Sequence, residues 1–165
     1  MVVMGIDPGF GYTGYGIAQQ DSNHRISKII DYGYLKLLPK DNLTVRIKQF
    51  YDFFQLKIKT HQVTDLVIET PFLGKNAQVF LKLGYLRGVL HLLSAQNQLN
   101  LHEFSPRQIK LSVTGFGGAS KEQVARAILH FVPGLTQPKK LDVTDAIAIT
   151  LCGIWRSKST NALKL

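Results

Sequence analysis

The 165-residue chain is short of acids, has a single cysteine and contains no long apolar run. Each shortage excludes something. With Cys152 alone, no disulfide can form within the chain. Its apolar neighbours Leu151, Ile154 and Trp155 predict a buried thiol in a reducing compartment. No uninterrupted apolar stretch reaches the ~18 residues of a membrane-spanning helix. The first residues also lack the charged-then-apolar pattern of an export signal, so the expected location is the cytoplasm, with no membrane partner. Eleven Asp and Glu stand against twenty Lys and Arg, a formal net charge of +9. The shortage is uneven. Between Thr70 and Leu141 the acids are Glu103 and Glu122, whereas Lys75, Lys82, Arg87, Arg107, Lys110, Lys121, Arg126, Lys139 and Lys140 share that window. A field of that sign favours a polyanionic partner through steering and counterion release. A surface that is simply basic and soluble is the plain alternative.

What is present predicts a folded protein. A hydrophobic fraction of 45% supplies a core for a chain of this length, and no linker or repeat divides it. We expect one domain over residues 1–157 and a polar tail over 158–165. At the N-terminus, Val2–Ile6 is a short apolar run ended by Asp7-Pro8-Gly9, which predicts a buried strand with a carboxylate at its end. Gly9, Gly11, Gly14 and Gly16 are expected to free the backbone for a tight reversal. Gly9 to Gly14 formally matches the dinucleotide fingerprint G-x-G-x-x-G, but that fingerprint needs a helix to begin within the glycines. Here Tyr12–Gln20 alternates like a second strand, so the expected unit is a hairpin. A solvated aspartate on a glycine-rich turn is its plainest meaning.

The rest of the chain alternates between strand and helix signals. Arg25–Leu37 predicts a third, antiparallel strand. Leu43–Lys59 places Leu43, Ile47, Phe50, Phe54 and Ile58 at helical spacing. Leu66-Val67-Ile68, inside Thr64–Thr70, is continuously apolar, as a doubly covered central strand would be, and Glu69 ends it as Asp7 ends the first. A long helix is expected over Ala77–Gln98, with Gly84 and Gly88 on one face. Glycine inside a helix costs up to about 1 kcal/mol, so close backbone approach is expected there, against the sheet or a second subunit. Leu99–Phe104 reads as a fifth strand. Ser105-Pro106-Arg107-Gln108 and Ser120-Lys121-Glu122-Gln123 are helix starts, and Asp142–Asp145 opens a last helix reaching about Arg156. Three antiparallel strands followed by alternating helices and strands describe an α/β fold: a five-stranded mixed sheet with helices on both faces.

Asp142 and Asp145 share one side of a first helical turn, where the helix dipole favours acids in any protein. Together with Asp7 and Glu69 they put four of the scarce acids at the ends of elements. Carboxylates grouped in this way suit hard divalent cations. A pair of such ions ~4 Å apart can activate water and stabilise the leaving oxygen of a phosphodiester.

The segments MGIDPGFGYTGYG, VIETPF with KN, LKLGYLRGVL, SPRQIK, GGASKEQV and DVTDAIAIT, in this order over nearly the whole chain, resemble the RuvC family of bacterial Holliday junction resolvases. The resemblance implies a ribonuclease H-like fold and a magnesium-dependent homodimer that cuts four-way DNA junctions by paired symmetrical nicks, in recombination and repair. It implies two Mg2+ ions per subunit, with Mn2+ able to substitute. Asp7, Glu69, Asp142 and Asp145 match the family's acidic ligands, and this chain keeps Asp142 where some members carry histidine. Phe72 matches an aromatic used near the junction's crossover. Lys110 and Lys121 match basic residues beside the metals, and Lys75 and Arg107 are further candidate DNA contacts from the basic window. Each of these side chains would otherwise be an ordinary loop phenylalanine or a solvated cation. The resemblance leaves open the preferred cleavage sequence and any use of the RuvA and RuvB branch-migration partners.

Two other functions fit parts of the sequence. An actin- or hexokinase-like phosphotransferase would use Asp7, Gly9, Gly11 and Thr13 as a phosphate loop, but it needs two lobes around its nucleotide. A non-catalytic junction-binding module would not need all four acids, because acids beside phosphate weaken binding.

Overall fold

The computed structural model describes residues 1–22, 26–71, 77–132, 135 and 141–161, with the backbone alone at residues 27 and 157–161. Its elements follow in the order β1 (Val2–Asp7), β2 (Tyr12–Gln20), β3 (Ile26–Lys36), α1 (Leu43–His61), β4 (Asp65–Glu69), α2 (Ala77–Gln96), β5 (Asn100–Phe104), α3 (Pro106–Thr114), α4 (Lys121–Phe131) and α5 (Leu141–Asn161). The strands form one sheet in the order β3-β2-β1-β4-β5. β1 and β3 run antiparallel to β2, whereas β4 and β5 run parallel to β1. The expected mixed sheet with helices on both faces is what the chain forms.

Strand alternation divides the apolar residues between two cores. Met4, Ile6, Leu66 and Ile68 face Phe50, Phe54 and Ile58 of α1 and Leu86, Leu90 and Leu93 of α2. Val3, Ala18 and Val67 face the opposite layer, with Ile109 of α3, Ile128 of α4 and Ile147 and Leu151 of α5. The helix starts follow local chemistry. Ser105 and Ser120 each accept from the backbone N–H three residues on, and Gln108 and Gln123 reach back to the cap in full capping boxes. α3 stops at Gly115, whose φ of 76° is a left-handed conformation that glycine adopts without strain.

Three expectations change. Gly115 is the positive-φ glycine among the described residues, so the early glycines do not serve a left-handed reversal. Gly14 and Gly16 lie within β2, and a Cβ on Gly14 would overlap the Asp142 carbonyl while one on Gly16 would press on Thr150 and Ile147. They exist to let α5 lie directly on the sheet. In α2, a Cβ on Gly84 or Gly88 would meet nothing within 4 Å among the described residues, so packing on the sheet does not require them. Finally, α5 begins at Leu141 and runs to Asn161, past the expected end near Arg156. The segment Arg156–Asn161 holds neither glycine nor proline to stop it.

Candidate active site

Register and alternation bring the first two acids together. Ile6 pairs with Ile68 across the parallel β1–β4 ladder, so Asp7 and Glu69 stand side by side at the carboxyl ends of adjacent strands. Asp7 is in phase with Val3 and Gly5, and Glu69 with Val67, so both side chains belong to the face covered by α5. That helix is anchored by a buried hydroxyl. Thr150 Oγ1 accepts from the Gly5 N–H at 3.1 Å, and its single proton is shared between the carbonyls of Gly16 and Ala146 at 3.0 and 2.8 Å. With the Asp142 backbone seated over Gly14, the residue that pairs with Asp7 across the β1–β2 ladder, the first turn of α5 delivers Asp142 and Asp145 to the same strand end.

The charges act on one another. Asp7 is half-buried, and its carboxyl is pushed from 3.8 up to about 7 by burial first, then by the charges of Asp145, Glu69 and Asp142; Lys121 opposes the shift. Burial and Asp145 raise Glu69 as well, against Lys121, Lys110 and Arg87. Lys121 Nζ sits 3.0 Å from Asp145 Oδ2, and that hydrogen bond and charge raise the lysine. A cleft of about 290 Å³ is lined by Asp7, Glu69 and Asp145 together with Lys110 and Lys121. Acids and cations share its lining, which suits a phosphate held beside metal-binding carboxylates.

Hard divalent cations take oxygen donors, and these four side chains offer nothing else. A cation would reverse the repulsion that raises Asp7, so the donor set fits such an ion in chemistry and charge. Among the described residues, however, no three carboxylate, histidine or cysteine side chains are already drawn into one metal-sized cluster. The positive charge paired with Asp145 is the Lys121 ammonium.

Arg107 lies at the start of α3 with its side chain against the backbone of Gly117, where a Cβ would press on it. It therefore borders the α3–α4 loop. Phe72 and Lys75 lie outside the described residues. Two contributors escaped sequence reasoning. Arg87 of α2 donates to the Glu69 carbonyl and pairs with Glu103 Oε1 at 2.9 Å, which fixes the end of β4. Its signal was the one arginine in a leucine-rich helix. Thr150 could have been found as the one hydroxyl in the apolar run Ala146–Leu151, opposite a string of strand glycines.

The family model described as "Crossover junction endodeoxyribonuclease RuvC" matches residues 3–153. The protein of that name from Pelodictyon phaeoclathratiforme is 38% identical over 164 residues, 99% of this chain and 85% of its own. The one from Caldicellulosiruptor saccharolyticus is 36% identical over 160 residues, 96% and 95% of the two chains. Among solved structures, Thermus thermophilus RuvC in complex with a Holliday junction substrate superposes with a TM-score of 0.90 at 21% identity, covering 97% of this chain and 96% of that one. At that identity the likeness speaks for the fold, which is ribonuclease H-like. No described helix is long and apolar enough to cross a membrane.

Proposed function

The chain belongs to the RuvC family of crossover junction endodeoxyribonucleases, and from that premise we propose how its residues resolve four-way DNA junctions. It is a metal-dependent nuclease acting on Holliday junctions in recombination and repair. One observation supports the site: burial and three neighbouring acids raise the pKa of Asp7, in a cleft also lined by Lys110 and Lys121.

In this reading Asp7, Glu69, Asp142 and Asp145 would hold two Mg2+ ions, with Mn2+ able to replace them. When bound, the ions supply an activated water and charge stabilisation of the leaving oxygen in an in-line displacement. The protein's own part is positional. Asp7, at the end of a central strand, would be a ligand to the bound metal, and Glu69 is held beside it by the ladder and by Arg87. Lys110 and Lys121 neutralise the phosphate oxygens in the cleft, as cations do for phosphoryl groups in a dry site. Phe72, Lys75 and Arg107 are further proposed DNA contacts, and residues 1–157 form the nuclease domain.

A two-fold homodimer would set two such sites against two strands of equal polarity. The outward face of α2 supports that assembly. Leu81, Tyr85 and Leu92 fall within about 40° of one another around the helix axis and are 59, 41 and 50% exposed. A second copy of the chain would cover that stripe. The cytoplasm is the proposed location, and RuvA and RuvB are the proposed co-workers on the junction.

The decisive experiment is Asp7→Asn, assayed in parallel for binding and cleavage of a synthetic four-way junction. Binding should persist, because affinity comes from the basic surface. Cleavage should fall by several orders of magnitude, roughly 10³-fold or more, since two roles fail together. Wild-type cleavage by Asp7→Asn would show that the metal site is misplaced. Binding without cleavage by the wild type in any divalent metal would favour the non-catalytic module.

A further inference from the structure

The edge strand β3 carries a surface patch that the acidic cleft does not use. Asp31 and Leu35 turn toward α1, where Asp31 meets Lys57 and Leu35 joins the core. By alternation Tyr32, Tyr34 and Lys36 turn to the opposite face. The ladders put that face in register with the site. Asp7 pairs with Gly14 and Gly14 with Tyr34, so Tyr34 stands on the same side of the sheet as Asp7. Tyr12 pairs with Lys36 one step nearer the sheet's end. Tyr32 and Tyr34 are 37 and 46% exposed, and Lys36 is exposed too. The patch is organised. Tyr12 and Tyr34 meet edge to face with ring centroids 5.4 Å apart, and Lys36 Nζ lies 5.9 Å from the centre of the Tyr12 ring. Such contacts hold the three side chains together before anything binds, which lowers the entropy lost on binding.

Position indicates the partner. Over the sheet, α1 packs near β3 and α2 near β5. With α2 at the two-fold axis, β3 is therefore the outer edge of each protomer. The crossover of a junction held by such a dimer lies toward the axis, and the arms lead away from it. Strands about 4.8 Å apart, rising about 3.4 Å per residue, put Tyr12 and Lys36 roughly 8 and 12 Å from Asp7 along the sheet. At about 3.4 Å per nucleotide that is about two to four nucleotides.

We propose that Tyr34 and Lys36, braced by Tyr12, hold the sugar-phosphate backbone of the junction arm leaving the cut site, about two to four nucleotides from the scissile phosphate. The proposal rests on the nuclease and dimer readings above. Tyrosine hydroxyls and lysine ammonium groups both donate to phosphate oxygens. The charge of Lys36 complements the arm. Because Lys36 lies over the Tyr12 ring and Tyr34 meets that ring edge to face, contact through polar tips suits the patch better than base stacking. Phosphate contacts fix register on a duplex and carry no sequence information. The patch thus holds the arm in place without choosing the sequence that is cut.

The test neutralises each side of the contact in turn. Tyr34→Phe removes a hydroxyl and keeps the ring, and Lys36→Gln removes the charge. Both side chains are exposed, so the double variant should fold. Lys28→Gln makes the same charge change on an exposed lysine at the far end of β3, opposite Gln19, and serves as the control. Binding would be measured in EDTA over a salt series, on four-way junctions carrying one uncharged methylphosphonate linkage at successive positions outward from the cut. Wild type should lose roughly tenfold in affinity when the linkage lies about two to four nucleotides out, the scale of one charge-assisted hydrogen bond. The double variant should bind the unmodified junction about tenfold more weakly, lose nothing further at those positions and show a salt slope lower by about 1. The control should match wild type, and the ranking of cleaved sequences in magnesium should stay the same in all three. An equal methylphosphonate loss in wild type and double variant would overturn the arm contact. So would a control as weak as the double variant, or a changed sequence ranking. A changed dimer mass in the double variant would assign the patch to a contact between copies instead. Wild type that binds in EDTA yet cuts in no divalent metal would sink the nuclease reading alone, because the phosphate scan reads binding without cleavage.

Discussion

Removing the charge of Asp7 should stabilise the metal-free protein at neutral pH and leave it almost unchanged at pH 4. Burial and three neighbouring acids hold the Asp7 carboxyl at about 7 in the fold, against 3.8 in an unperturbed chain. Its folded pKa is therefore raised, so below about 3.8 the group is neutral in both states and costs nothing. As pH rises to about 7 the unfolded chain ionises freely while the folded one resists, and stability falls across that window. The difference between about 7 and 3.8, at 1.36 kcal/mol per unit, sets a ceiling of about 4 kcal/mol above pH 7. At roughly 2–4 °C per kcal/mol for a domain of this size, Asp7→Asn should melt up to about 16 °C higher than wild type at pH 8 in EDTA. The assay is thermal unfolding of both proteins at half-unit pH steps from 4 to 8, with and without magnesium. Magnesium should stabilise wild type by about 2.7 kcal/mol at a hundred times its dissociation constant, and the variant by clearly less. A wild-type-minus-variant difference that does not vary with pH would refute the electrostatic account. Equal magnesium shifts in both would remove Asp7 from the metal site.

Other outcomes test how the site is built. Gly14→Ala forces a Cβ into the Asp142 carbonyl and should cost about 1–3 kcal/mol, read as a lower melting temperature with weaker magnesium stabilisation. Thr150→Val removes the buried hydroxyl that ties α5 to Gly5 and Gly16 and should cost about 1 kcal/mol, measured by denaturant unfolding, with slower junction cleavage because α5 carries Asp142 and Asp145. Lys121→Ala should slow cleavage and lower the salt slope of junction binding by about 1; an unchanged rate and slope would mark it as a solvated lysine paired to Asp145.

Much of the fold could be read from residues alone, since the decisive signals were local. The apolar runs at Val2–Ile6 and Leu66–Ile68 set two adjacent buried strands, and the Ser–Gln boxes set the starts of α3 and α4. Asp7 and Glu69 were visible because each ends such a run, and Asp142 and Asp145 because they share a first turn. What local pattern could not carry was distance. The chain does reverse between β1 and β2, but the purpose of Gly14 and Gly16 depends on a helix more than a hundred residues away, so assigning them to that reversal was reasonable and mistaken. Thr150 looked like one polar interruption of an apolar helix until the fold placed it against Gly5 and Gly16. Likewise the raised pKa of Asp7 is a property of four side chains converging, which no single segment contains. The sequence by itself determined which carboxylates exist, which elements they terminate and how positive the surroundings are. Only the tertiary structure decided that parallel pairing of β1 with β4, and contact of α5 with a glycine track, would bring those carboxylates to one strand end, because electrostatic coupling and steric fit depend on separation in space and not along the chain.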